Sequence, residues 1–140
     1  MIENAIIFAK NSGEALIATQ IGETDPNSDA FSEYMKQIRS VASKLEKGVF
    51  KLELNNQLVA QINVQKGISV TFVFKGAITD KIFSQWESVA KEIASGFEKV
   101  YDPDNFDIVK ISEFKKSMLE IIEWHKKELS PIDKMKDALW

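Results

Sequence analysis

Residues 49–75 read VFKLELNNQLVAQINVQKGISVTFVFK. Phe50, Leu52 and Leu54 alternate with Lys51 and Glu53, and a period of two predicts a strand with one apolar face. Asn55-Asn56 supplies a turn. Leu58, Ala60, Ile62 and Val64 then alternate with Gln57, Gln61, Asn63 and Gln65, which predicts a second strand with one polar side. After Lys66-Gly67, residues 68–75 are apolar on nearly both sides. A strand of that kind belongs in the middle of a sheet, covered above and below. This stretch therefore predicts a meander that runs from two peripheral strands to a central one.

Working outward, the pattern changes to a helical period on both sides. Beyond the meander, Ile82, Phe83, Trp86, Val89, Ala90, Ile93, Phe97 and Val100 form the apolar face of a helix over about 80–101. Thr79 is its expected cap, with Ile78 and Phe83 spaced as a hydrophobic staple. Before the meander, Phe31, Tyr34, Met35, Ile38, Val41, Ala42 and Leu45 share one arc of a helix over about 29–47. Asn27, Ser28 or Asp29 can cap it, and Gly48 stands at the expected C-terminal cap. Ahead of this helix, NAIIFAKNSGEALIATQIG (residues 4–22) predicts a hairpin closed at Gly13. Its first strand is apolar on both sides and belongs at the centre. A third helix is expected over about 113–128, with Phe114, Met118, Ile121, Ile122, His125 and Leu129 on one side. The first 129 residues read as one domain. The tail SPIDKMKDALW (130–140) reads as a short amphipathic helix, capped by Ser130, with Met135, Leu139 and Trp140 on its apolar side.

Composition narrows the function classes. The 140 residues are 44% apolar and 28% charged, as in ordinary globular domains. With 21 acidic and 18 basic residues the net charge is −3, which gives no basic stripe for nucleic acid. Cysteine is absent, so thiolate chemistry is excluded. Glu3 precedes the first apolar run and no basic leader segment is present, so no secretory signal is read. No apolar run reaches the roughly 18 residues of a membrane span. The expected setting is cytoplasmic.

Catalytic equipment is not visible. His125 is the single histidine and sits amid the apolar face of the third helix, where a packed core-edge role is expected; zinc sites want several His or Cys ligands. DPDNFD (102–107) has spaced aspartates, but a calcium loop needs an oxygen at its fifth position and Gly at its sixth, where Phe106 and Asp107 stand. There is no Gly-rich phosphate loop and no Gly-x-Ser-x-Gly elbow. The reading is therefore a non-enzyme with no cofactor and no metal.

The order hairpin, helix, three-strand meander, two helices resembles the longin domain of SNAREs, adaptor small subunits, TRAPP subunits and the signal-recognition-particle receptor. NAIIFAKNSGEALIA (4–18) looks like the longin opening hairpin, and GISVTFVFKGAITDKIFSQWESVAKEI (67–93) like its last strand and second helix. Roadblock and profilin-like folds share parts of this order but tend to begin with a helix. The resemblance implies an α/β sandwich with a five-stranded, mainly antiparallel sheet in the order 2-1-5-4-3, one helix on one face and two on the other. It also implies a non-catalytic platform for a protein partner: a small GTPase, a trafficking subunit or a second copy in a homodimer, with membrane association only through that partner. The surface carried over comprises Tyr34, Ile38 and Arg39 of the first helix and Val49, Phe50, Lys51, Leu52, Glu53 and Leu54 of the third strand. Met135, Leu139 and Trp140 of the tail are added as a further contact. A small-ligand sensor or regulatory subunit is the alternative.

Overall fold

The computed structural model describes residues 2–10, 12–65, 67–102 and 107–128, with side chains as far as Lys126. The expected contacts at Met135, Leu139 and Trp140, and most of the aspartate-rich loop, lie outside these residues. Among the described residues, five strands and three helices follow one another as β1 (Ile2–Ala9), β2 (Ala15–Gln20), α1 (Asp29–Lys44), β3 (Gly48–Glu53), β4 (Leu58–Val64), β5 (Ile68–Lys75), α2 (Asp80–Glu98) and α3 (Ile108–Glu128). The strands form one open sheet in the order β2-β1-β5-β4-β3, and every neighbouring pair is antiparallel. The fold is α+β.

The hairpin turns where expected. Gly13 has φ +70, a left-handed conformation that a side chain disfavours, and its amide donates to the Ala9 carbonyl at 2.8 Å. β1 and β5 pair side by side at the centre, and apart from Lys75 all their residues are buried. Their two-sided apolar composition requires a layer on each face. On one face, Ile6, Phe8 and Ile62 pack with Phe31, Met35 and Ile38 of α1. On the other, Ile7, Val70 and Phe72 pack with Trp86, Ile93 and Phe97 of α2 and with Met118 and Ile122 of α3. The ring of Phe72 meets Trp86 edge-on at 5.1 Å, and Phe97 meets Phe114 at the same distance. Burying each such side chain contributes about 1.5–3 kcal/mol.

Ser28 caps α1 and Thr79 caps α2, each hydroxyl accepting the amide three residues on, from Phe31 and Ile82. The boundaries differ from the sequence expectation in three places. α1 ends at Lys44 because Leu45 is already extended; Gly48, with φ +122, opens β3 instead of capping the helix. α2 ends at Glu98. α3 begins at Ile108, one and a half turns early, because Asp107 Oδ1 accepts the amides of Val109 at 3.0 Å and Lys110 at 3.3 Å.

β4 also differs from its reading as a strand with a polar outer side. Gln61 and Asn63 are fully buried beneath α2. Gln61 Nε2 donates to the Phe83 carbonyl in the first turns of α2 at 2.6 Å, and Asn63 Nδ2 donates to the Val70 carbonyl at 3.0 Å. Each amide nitrogen finds an acceptor, which offsets part of the cost of burying a polar side chain inside the layer, while Gln61 Oε1 and Asn63 Oδ1 are buried without a hydrogen-bond partner.

Candidate functional site

The sheet order leaves β3 at one edge. Leu54 donates its amide to the Leu58 carbonyl at 2.9 Å, and the register runs Phe50–Ile62 and Leu52–Ala60. In an antiparallel ladder the residues that exchange bonds alternate. Phe50 and Leu52 thus bond to β4, while the backbone groups of Val49, Lys51 and Glu53 face away from the sheet. An edge of this kind can accept another strand. The other edge strand, β2, is more enclosed: Ile17 and Thr19 are buried on the side where α3 packs.

The side chains of β3 divide between two faces. Phe50, Leu52 and Leu54 lie on the α1 side. Phe50 is 42% exposed, Leu52 is half-buried, and Leu54 is buried in the core. Val49, Lys51 and Glu53 lie on the α2 side, where Lys51 pairs with Gln61; Lys51 and Glu53 are both exposed. On that side α2 packs mainly over β4 and β5. Among the described residues neither charge is engaged in an ion pair.

The α1 residues named from the sequence fall into three different places. Tyr34 is half-buried, stands edge-on to Phe31, and accepts a hydrogen bond from Asn55 Nδ2 at 2.7 Å, which ties α1 to the β3–β4 turn. Ile38 is fully buried and belongs to the core. Arg39 is exposed, but its Cδ lies next to Gly13, beside the β1–β2 turn. The structure thus brings together Tyr34, Val49, Phe50, Lys51, Leu52 and Glu53, and sets Ile38, Leu54 and Arg39 apart from that surface.

Beyond the β3–β4 turn, an open hollow of about 550 Å³ is lined by Glu53, Asn55, Asn56, Gln57, Val59 and Ala77. Asn55 Oδ1 accepts the amides of Gln57 and Leu58 at 2.7 and 2.8 Å, which fixes the turn. Among the described residues no group of three or more His, Asp or Glu side chains could hold a metal ion. No helix among them is long and apolar enough to cross a membrane.

Further exposed apolar side chains lie on α3, Ile108 and Val109 in its first turn and Trp124 near its other end. Trp124 is 59% exposed and stands edge-on to His125 at 4.9 Å. His125 Nε2 is 2.8 Å from Glu92 Oε2, bridging α3 to α2. The sequence carried a signal for Trp124, because it falls outside the stripe of Phe114, Met118 and Ile122. Comparison with known proteins gives no matching family model and no matching curated protein.

Proposed function

We propose that this chain is a non-catalytic, longin-type platform that binds one protein partner along the rim of β3: a small GTPase, a trafficking subunit or a second copy of itself. The observation that supports the reading is the outward-facing ladder of Val49, Lys51 and Glu53 beside exposed Phe50. Backbone bonds from such a rim give affinity, and alternate side chains give selectivity. The order and pairing of the strands agree with the architecture that the longin resemblance implies.

The test is direct binding of the full chain to a panel of small GTPases, each loaded with GDP or a GTP analogue, and to isolated trafficking subunits. Phe50→Asp is the rim variant and Trp124→Ala the control on the opposite part of the molecule. Binding that Phe50→Asp abolishes and Trp124→Ala preserves supports the reading. Binding that survives Phe50→Asp, or is lost only with Trp124→Ala, contradicts it.

A further inference from the structure

We infer that the rim of β3 is self-complementary and pairs with β3 of a second copy across a two-fold axis at Leu52, an inference that rests on reading β3 as the docking rim. The charges decide the register. Val49, Lys51 and Glu53 are the positions whose backbone groups face outward, so they must form the hydrogen-bonded pairs of any added antiparallel strand. With the two-fold axis at Leu52, Lys51 of each copy stands opposite Glu53 of the other, on the face away from α1. Both ion pairs form at once because the operator repeats them. Moving the axis to Lys51 sets lysine against lysine, and moving it to Glu53 sets glutamate against glutamate. Like charges directly opposite one another are destabilising.

The apolar side fits the same register. Leu52 meets its own copy at a non-hydrogen-bonded pair, where side chains approach most closely. Phe50, 42% exposed in the single chain, stands opposite Leu54 of the other copy. The helices leave room for this. α1 lies over β4, so two copies of α1 are separated by three strand spacings, ~14 Å. Packed helices need only about 8–10 Å, and the difference is a groove floored by Phe50 and Leu52. The product is a continuous ten-stranded sheet in which the two rims cover one another.

The experiment is sedimentation equilibrium on the full chain, with charge reversals at the two exposed positions and thermal melts to confirm folding. The wild type should give twice the 15.9 kDa chain mass. Lys51→Glu alone and Glu53→Lys alone each turn both cross-strand pairs repulsive and should weaken dimerisation by about tenfold or more. The double variant Lys51→Glu/Glu53→Lys should restore it. An equimolar mixture of the two single variants should form a heterodimer, since each glutamate then meets a lysine. A monomeric wild type, or a dimer that neither the double variant nor the mixture restores, overturns the inference. A monomeric wild type that still binds a partner protein in a Phe50-dependent way overturns self-pairing alone. A dimer insensitive to Phe50→Asp and to both reversals overturns self-pairing at β3, and the rim reading falls with it only if partner binding is also insensitive to Phe50→Asp.

Discussion

Gly22 follows β2 and lies against the buried carboxylate of Glu3. The amides of Ile21 and Gly22 both donate to the Glu3 carbonyl, at 2.8 and 3.0 Å, and Thr24 Oγ1 donates to Glu3 Oε1 at 2.9 Å. A Cβ at position 22 would collide with that carboxylate, which Thr24 and its burial hold in place. Gly22→Ala should therefore destabilise the fold by about 1–3 kcal/mol in denaturant titration. In a Glu3→Ala background the same substitution should cost much less. Equal costs in the two backgrounds would mean that another contact is responsible. Tyr101 offers a second test. Burial, and then the carboxylates of Glu14 and Asp102, raise its phenol above the ordinary value of 10.0. A raised folded-state value favours the fold fully below pH 10, and that contribution is lost as pH rises through the folded value. Alkaline melting should therefore fall less steeply for Tyr101→Phe than for the wild type; parallel curves would contradict it. At this scale the sequence was least legible at Gln61 and Asn63. Their alternation with apolar neighbours is the ordinary mark of a solvent face, and the carbonyls of Phe83 and Val70 that accept their amides are not visible to a local pattern.

α1 shows why helices were easier to read than site residues. Its apolar arc, its start near Asp29 and a cap among Asn27, Ser28 and Asp29 are local properties, and they were legible. Whether Ile38 faces the core or a partner is not local, because both fates select the same residue type. The structure places Ile38 in the core, so Ile38→Ala should cost about 2–5 kcal/mol in stability while leaving the affinity of the folded fraction for a rim partner unchanged. Loss of affinity without loss of stability would return Ile38 to the binding surface. The caps are worth less. Ser28→Ala and Thr79→Ala should each cost about 1 kcal/mol, read as a lowered unfolding midpoint. The early start of α3 was legible in principle, since Asp107 is a good capping residue. The polar run before it and the exposed Ile108 and Val109 disguised the first turns as loop.

The described residues form a single sheet with an apolar layer on each face, and the central strands β1 and β5 contribute side chains to both layers. Damage to one should therefore unfold both. Trp86 reports on the α2 side, packed against Phe72 and Phe74 at 5.1 and 5.6 Å. In a background with Trp124 and Trp140 replaced by Phe, its fluorescence and far-ultraviolet circular dichroism should melt together. Ile38→Ala, on the other face, should shift both transitions equally; separate transitions would mean that the layers are independent. The element order, the central place of β1 and β5 and the outer place of β3 were legible because two-sided and one-sided apolar strands differ in composition. Which backbone groups of β3 face outward was not, because that depends on how the ladder bonds alternate along an edge. Amide hydrogen exchange, resolved residue by residue in dilute solution where the chain is monomeric, tests that edge most directly. Val49, Lys51 and Glu53 should exchange nearly as fast as unstructured amides, while Phe50 and Leu52, bonded to β4, should be strongly protected. Equal protection of Lys51 and Leu52 in the monomer would show the rim already covered and would contradict the account.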